Sequence, residues 1–166
     1  MATTCAATRW KCARPRFEAW WPKSAIYGPK SDGTYVIEFR MADGTHVVFS
    51  AECLRATTGL DDLGAALAAI AGTTPSFLAV TQGPRDVLWR EGATLRQSPV
   101  FAVEAIDTLG AGDVFHGAFA LALAEGRDVV AALRFAAAAA GLKCTRLGGS
   151  MAAPRRAEVE ALLAAS

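Results

Sequence analysis

The residues from 100 to 125 constrain the fold more than any other stretch, because three different local signals follow one another there. Residues 100–105 form an extended, mostly apolar run that predicts a β-strand. An acidic corner and two glycines, Gly110 and Gly112, come next, and glycine adopts backbone angles that other residues resist. The residues that follow, to about 125, contain no proline and many good helix formers. The pattern predicts a strand, a glycine turn and the N-terminus of a helix.

Such a junction is a candidate anion site with one unusual residue. The unpaired N–H groups and the dipole of a helix N-terminus attract anions. Asp113 would repel an anion there, so its presence makes sense if it removes a proton from a hydroxyl that then attacks the anion. The alternative is that Asp113 is an ordinary carboxylate in the first turn of a helix, which is common.

The thirteen residues 107–119, DTLGAGDVFHGAF, resemble the C-terminal signature of the PfkB/ribokinase family of carbohydrate kinases. The resemblance implies an α/β, ribokinase-like fold and phosphoryl transfer from ATP, escorted by Mg2+, to a sugar hydroxyl. It implies that Asp113 is the base and that Gly110, Ala111 and Gly112 line the anion hole.

The resemblance also implies a nucleotide site. Residues 81–87 are similar to the family's TxGxxG-like phosphate loop, but Asp86 stands where the second glycine usually falls, and its carboxylate could disfavour a polyphosphate. The helix that contains Ala140 is expected to border the adenine pocket. The implied nucleotide-binding set is Thr81, Gly83, Thr108, Gly110, Gly112, Ala140 and Gly149.

A monovalent cation, K+, is a further expectation from the resemblance. In relatives that bind such an ion, the DT of the signature and a later loop hold it. Asp107, Thr108 and Gly149 are therefore candidate cation ligands in this sequence.

The remaining signals predict helices and strands on both sides of the signature. Residues 34–49 predict a hairpin around Asp43–Gly44, and residues 87–97 predict a second one. Ser50, Asp61 or Asp62, and Asp128 are candidate helix N-caps, Gly59, Gly72 and Gly126 are candidate helix ends, and Pro154 opens the last helix. Residues 77–81 read as a buried parallel strand. We expect a truncated, mostly parallel sheet with flanking helices and β-hairpins.

The two histidines are both interpreted as structural. His46 is a lone histidine on a predicted strand, which indicates a surface or structural role. His116 lies next to the signature turn, and a helix-surface or packing histidine is the favoured interpretation.

Residues 1–46 form an N-terminal segment of unknown origin. Residues 1–33 mix basic and aromatic side chains without a clear period. Three interpretations stay open: an accessory or poorly ordered segment, a nucleic-acid-binding or other separate module, and sequence that does not derive from the kinase ancestor. Residues 47–166 are interpreted as the C-terminal part of a carbohydrate kinase domain.

Composition narrows the class of protein. The 166 residues are 52% apolar and 20% charged, which is typical of a globular domain. A net charge of +1 gives no reason to expect nucleic acid or an acidic membrane surface, and no apolar run is long enough to span a bilayer. The four cysteines show no metal-ligand spacing, so we expect reduced thiols and a cytoplasmic location.

Two functions follow from the resemblance. The N-terminal motifs of the family, which supply most sugar contacts, are not found in this sequence, so the sugar cannot be read. The chain is expected to be an ATP-dependent carbohydrate kinase or its nucleotide-binding portion. The alternative is an inactive kinase remnant that binds nucleotide or a partner. An exposed sheet edge would favour a homodimer or other association.

Overall fold

The computed structural model describes residues 23–27, 36–41 and 44–166, with side chains from residue 46 onward except that of Ser150. The strands are β1 (Lys23–Tyr27), β2 (Val36–Met41), β3 (Gly44–Ser50), β4 (Phe77–Gln82), β5 (Arg85–Glu91) and β6 (Thr94–Ser98). The helices are α1 (Ala51–Thr58), α2 (Leu63–Ala71), α3 (Ala111–Ala124), α4 (Val129–Cys144) and α5 (Arg156–Ala164), with a 3₁₀ helix over Gly149–Ala152.

The described strands form one mixed sheet in the order β1-β2-β3-β4-β5-β6. The α/β class is confirmed, but the expectation of a mostly parallel sheet is wrong for these strands. Only β3 and β4 run parallel, and the other four neighbouring pairs are antiparallel. The reason is connection length: short hairpin connections impose antiparallel pairing, whereas α1 and α2 provide the crossover that a parallel pair requires.

Local signals place the crossover helices as predicted. The Ser50 side chain accepts a hydrogen bond from the Cys53 N–H at 3.1 Å and so caps α1. Gly59 ends α1 in the left-handed conformation, with φ of 69°. Of the two candidate aspartates, Asp62 caps α2, since its Oδ1 accepts from the Ala65 N–H at 2.6 Å.

Both faces of β4 are buried, as predicted for residues 77–81, and the neighbouring strand β3 is buried on both faces as well. Successive strand residues point to opposite faces. Val48 and Ala79 contribute to a core with α3, α4 and α5, whereas Phe49 and Val80 contribute to a core with α1 and α2. The two central strands therefore fix the positions of both helix layers.

His46 is buried beside the core that includes α3, α4 and α5. The centroid of its ring is 5.3 Å from that of Phe77 and 6.0 Å from that of Phe119. The structural interpretation of His46 is confirmed, and the surface interpretation is wrong. The predicted free thiols are present at Cys53 and Cys144.

The predicted strand over residues 100–105 is wrong: residues 99–107 adopt no regular secondary structure. Pro99 has no N–H for a sheet ladder, and β6 ends just before it. The segment instead lies against α4. The backbone N–H groups of Ile106 and Asp107 both donate to the carbonyl oxygen of Cys144, at 2.8 and 3.1 Å. The end of this segment is therefore held by hydrogen bonds to the C-terminal residue of α4 and not by a neighbouring strand.

The first hairpin is confirmed in its strands, because β2 and β3 pair antiparallel from Ile37–Val48 to Met41–Gly44. Residues 34–35 and the turn at 42–43 lie outside the described residues, as does most of the N-terminal segment. β1 is a strand that the sequence pattern did not indicate. In the part of the chain that the structure describes, no helix has the length and apolar character needed to cross a membrane. Association through a sheet edge stays a prediction.

Replacement of Phe119 by alanine should reveal how strongly α3 depends on the core. The Phe119 side chain is 0% exposed, so we expect a loss of about 3–5 kcal/mol in the free energy of unfolding. Urea denaturation followed by circular dichroism measures it. Leu121→Ala, on the same helix at 47% exposure, is the matched control and should cost well under half as much. Equal losses would contradict the assignment of the buried face.

Candidate active site

The signature turn forms the N-terminus of α3, as predicted. Gly110 is the N-cap residue and has φ of 78° and ψ of 5°, a left-handed conformation that strongly favours glycine. Ala111 and Gly112 begin the helix, and Asp113 stands exposed in its first turn. The local sequence thus produces a helix N-terminus that carries one carboxylate.

The backbone N–H groups of this first turn are partly committed. The first N–H groups of any helix lack intrahelical partners. Here the Ala111 N–H donates to the Thr108 carbonyl oxygen at 3.1 Å, and Val114 makes the first intrahelical bond, to Gly110, at 3.0 Å. A Cβ built on Gly112 meets nothing within 4 Å. The side of the turn at Gly112 is therefore open to an incoming group.

A cleft of about 770 Å³ extends from this turn along α4. It brings together six of the predicted site residues: Thr81, Gly83, Thr108, Ala111, Gly112 and Ala140. Asp113 is not part of the lining but follows Gly112 directly in the chain. Asp107, Gly110 and Gly149 also lie outside the lining. A second cleft, of about 380 Å³ beside α1 and α2, contains none of the predicted residues.

Ser50 and Glu52 also line the cleft, and sequence reasoning missed both. Ser50 pairs with Thr81 at the carboxyl ends of the parallel strands β3 and β4. Ligands of open α/β sheets bind at the carboxyl ends of such strands. The signal that could have identified these residues was the predicted parallel strand order, which places the start of α1 beside the end of β4.

The segment from 100 to 105 supplies one apolar wall. Phe101 and Val103 line the cleft together with Ala137, Ala140 and Gly141 of α4. A Cβ built on Gly141 would lie 3.6 Å from the Val103 side chain, so the segment packs closely on this helix. The segment can form this apolar wall because it packs on α4 and is not a strand of the sheet.

The charged residues of the cleft are both acidic. Glu52 and Asp86 line it, and no Lys, Arg or His is among its lining residues in the part of the chain that is described. The polypeptide of Asp86 is held in place, because the Gln82 side-chain amide donates to the Asp86 carbonyl oxygen at 2.6 Å. Asp86 thus adds an acidic residue to the cleft lining, in the loop that the family resemblance assigns to the phosphates.

Asp107 joins the signature to the end of α4 and to the loop after it. Its Oδ1 accepts from the Leu109 N–H at 2.9 Å, and its Oδ2 accepts from the N–H groups of Gly148 and Gly149 at 3.2 and 3.1 Å. The Lys143 ammonium lies 3.0 Å from Oδ2 and donates to the Asp107 carbonyl oxygen at 2.6 Å. The predicted pair Asp107 and Gly149 is therefore in contact, through a carboxylate that also binds a lysine.

These donors hold the pKa of Asp107 well below its usual range. The largest contribution is the N–H of Leu109, followed by the N–H of Gly149 and then the hydrogen bond from Lys143. All three stabilise the ionised carboxylate. The ionised form of Asp107 at the base of the signature turn is therefore favoured over the protonated form.

His116 ties the start of α3 to the central sheet. Its Nδ1 lies 2.6 Å from the Gly112 carbonyl oxygen, and its Nε2 lies 3.3 Å from the carbonyl oxygen of Val48. The packing interpretation of His116 is confirmed. The contacts fix the distance between the signature helix and β3.

The profile of the pfkB family carbohydrate kinases matches residues 43–156 of this chain. Ribokinase of Bacillus subtilis (strain 168) is 48% identical over 89 residues, which are 54% of this chain and 30% of that protein. The family match at 43–156 covers the signature, the residues lining the cleft and the central strands β3 and β4.

Solved structures of sugar kinases are similar to this chain in fold. Ribokinase from Thermotoga maritima superimposes with a TM-score of 0.67 at 34% identity and covers 70% of this chain and 41% of its own. A double mutant of fructokinase from Vibrio cholerae O395, in a form with fructose, ADP and potassium ion bound, gives a TM-score of 0.65 at 30% identity over 70% of this chain and 39% of its own. The chain spans less than half the length of the relatives that it matches.

The hydrogen bonds that Asp107 accepts should keep its carboxylate ionised at a lower pH than that of an ordinary aspartate. Because the pKa is depressed in the folded state, its stabilising effect is complete above the unfolded-state pKa of about 3.9 and is lost as pH falls from there through the folded pKa. We expect Asp107 to stay ionised in the folded chain at pH 3, where an ordinary aspartate is mostly protonated. Carboxyl ¹³C NMR titration measures this, and a midpoint near pH 4 would contradict the assigned hydrogen bonds.

Proposed function

The chain belongs to the pfkB family of carbohydrate kinases, and on that premise we propose that it is the nucleotide-binding and phosphoryl-transferring part of an ATP-dependent sugar kinase. The observation that carries the proposal is the cleft. It runs from the N-terminus of α3 to the apolar surface of α4 and is lined by most of the residues that the family resemblance assigns to nucleotide.

ATP suits the two ends of this cleft. An adenine ring is planar and largely apolar, and the wall of Phe101, Val103 and Ala140 offers it an apolar environment. The phosphates carry negative charge, which the N-terminus of α3 stabilises through its dipole and the N–H of Gly112. Thr81 and Gly83 contribute a hydroxyl and an open backbone on the β4 side.

Asp113 would perform the chemistry as a general base. Its carboxylate accepts the proton of a sugar hydroxyl, and the oxygen of that hydroxyl forms a bond to the γ-phosphorus of ATP. The bond between the γ-phosphorus and the β–γ bridging oxygen breaks, and ADP leaves. The N–H groups at the start of α3 stabilise the charge on the phosphoryl group during transfer.

Mg2+ would enter with the nucleotide. Among the described residues there is no group of three or more His, Cys, Asp or Glu side chains that could hold a metal ion. Mg2+ usually binds through substrate phosphates and only one or two carboxylates, and Glu52 is the carboxylate of the described cleft lining that lies outside the phosphate loop. The ion supplies charge neutralisation on the phosphates when it is bound.

A second function is favoured by the acidic lining of the cleft. Asp86 replaces a glycine in the phosphate loop, and no basic side chain in the described lining offsets it. If these carboxylates weaken phosphate binding enough, the chain acts as a nucleotide- or partner-binding module without turnover. The relatives include a ribokinase and a fructokinase, and either type of sugar is a candidate substrate for the enzyme.

Calorimetric titration of the chain with MgATP, with and without ribose or fructose, tests the proposal. ATP binding that one sugar strengthens, together with ADP formation, would establish the kinase and its substrate. ATP binding that no sugar alters, without ADP formation, would favour the binding module. No ATP binding at all would contradict both.

The proposed base predicts a specific kinetic defect. Asp113→Asn should lower the phosphoryl-transfer rate at least about 100-fold, the low end for loss of a general base, because the sugar hydroxyl keeps its proton. A coupled ADP-release assay measures the rate, and calorimetry should show MgATP affinity within about threefold of the original. Glu104→Gln, at an exposed carboxylate of the neighbouring segment, is the control and should keep full rate. Activity that survives in Asp113→Asn would exclude Asp113 as the base.

Removal of the acidic residue from the phosphate loop is expected to increase the affinity for MgATP. Asp86→Gly removes a negative charge from the cleft, and we expect MgATP to bind about two- to fivefold more tightly, the size of a partly solvent-screened charge interaction. The gain should shrink at high salt because screening weakens the repulsion that is removed. Calorimetry at two salt concentrations measures both effects, and an unchanged or weaker affinity would show that the loop does not contact the phosphates.

A further inference from the structure

Lys143 is a fully buried lysine at the end of α4. Its side chain is 0% exposed, which is rare for lysine unless the charge is paired. Its ammonium group contacts two oxygens of one residue, the carbonyl oxygen of Asp107 at 2.6 Å and the carboxylate Oδ2 at 3.0 Å. The lysine is thus held at the point where the signature turn begins.

These oxygens belong to the residue expected to bind a monovalent cation. Carboxylate and carbonyl oxygens are the ligands that such an ion would use, and Asp107 offers one of each. The Asp107 Oδ2 also accepts the N–H groups of Gly148 and Gly149, so the carboxylate, the loop and a positive charge already form one cluster. A fructokinase of the same fold has potassium bound, whereas here the positive charge at Asp107 is part of the chain.

We propose that the Lys143 ammonium is a built-in monovalent cation, which holds the signature turn and the loop at 148–149 together in place of free K+. A K+ ion does not fit beside it. The ammonium occupies the carbonyl oxygen and Oδ2 of Asp107. A K+ ion bound to the same two oxygens would lie close to the ammonium and would be repelled by its positive charge. A tethered ammonium also binds at no cost in lost translational freedom, because it is already attached to α4.

The position of the contact gives the lysine a role beyond packing. Asp107 lies three residues before Gly110, the N-cap of α3, and the ammonium fixes both its backbone carbonyl and its side chain. Lys143 is therefore a positioning residue: it orients the turn that carries Asp113 without touching the cleft, whose lining does not include it.

The test is thermal unfolding of the full chain in KCl, NaCl and choline chloride at equal ionic strength. We expect the unmodified chain to melt within about 1 °C in all three salts. Lys143→Ser removes the ammonium and leaves space, so it should melt lower in choline and recover by about 2–4 °C or more as K+ is added, with saturation. Arg96→Ser, which removes an exposed cation paired with Glu91, is the control and should show no difference between salts.

Two results would overturn the proposal. One is a saturable, K+-specific rise in the melting temperature of the unmodified chain. The other is a Lys143→Ser variant that unfolds equally in all three salts, which would make the lysine a packing residue only. If Lys143→Ser does not fold in choline chloride, its refolding is compared in the three salts. Refolding in KCl alone supports the proposal, and a variant that refolds in no salt overturns it. Melting requires no nucleotide, so these results are independent of whether the chain binds ATP.

Discussion

The arrangement of the site depends on one carboxylate, that of Asp107. It accepts hydrogen bonds from the start of the signature turn and from the loop at 148–149, and it pairs with Lys143 at the end of α4. The backbone N–H of Asp107 adds a bond to the Cys144 carbonyl oxygen. The Lys143 ammonium is fully buried, and a buried charge is stable only when it is paired and hydrogen-bonded, so Asp107 supplies the partner that this lysine requires. The carboxylate thus links the turn before α3 to the end of α4, and these two helices border the cleft.

The cleft combines this helix pair with the single parallel junction of the described sheet. Ser50 and Thr81 lie side by side at the carboxyl ends of β3 and β4, and they line the same cleft as the N-terminus of α3. One side of the cleft is thus made of helix N-terminus and strand ends, which suit phosphate, and the other of small and apolar side chains, which suit a base. The charged side chains of its described lining, Glu52 and Asp86, are both acidic.

Much of the fold could be predicted from the sequence where the interactions are local. The caps at Ser50, Asp62 and Asp128 were identified because each side chain bonds to an N–H three residues later, within the same few residues. The segment at 100–105 was mistaken for a strand because an extended, apolar pattern does not say which partner satisfies its backbone. Lys143 was missed for a similar reason: a lysine in the last turn of a helix is normally explained by the helix dipole and by solvent.

The local sequence specifies the glycine turn, the helix that follows it and the residue types of the candidate site, because these depend on backbone conformation and on side-chain chemistry along a short stretch. Three features follow only from the tertiary fold: which strands pair, the position of residues 100–105 as a wall of the cleft, and the identity of Lys143 as the cation beside Asp107. Asp107 and Lys143 are 36 residues apart, and a contact of that kind is specified by the packing of α3 against α4 and not by either segment alone.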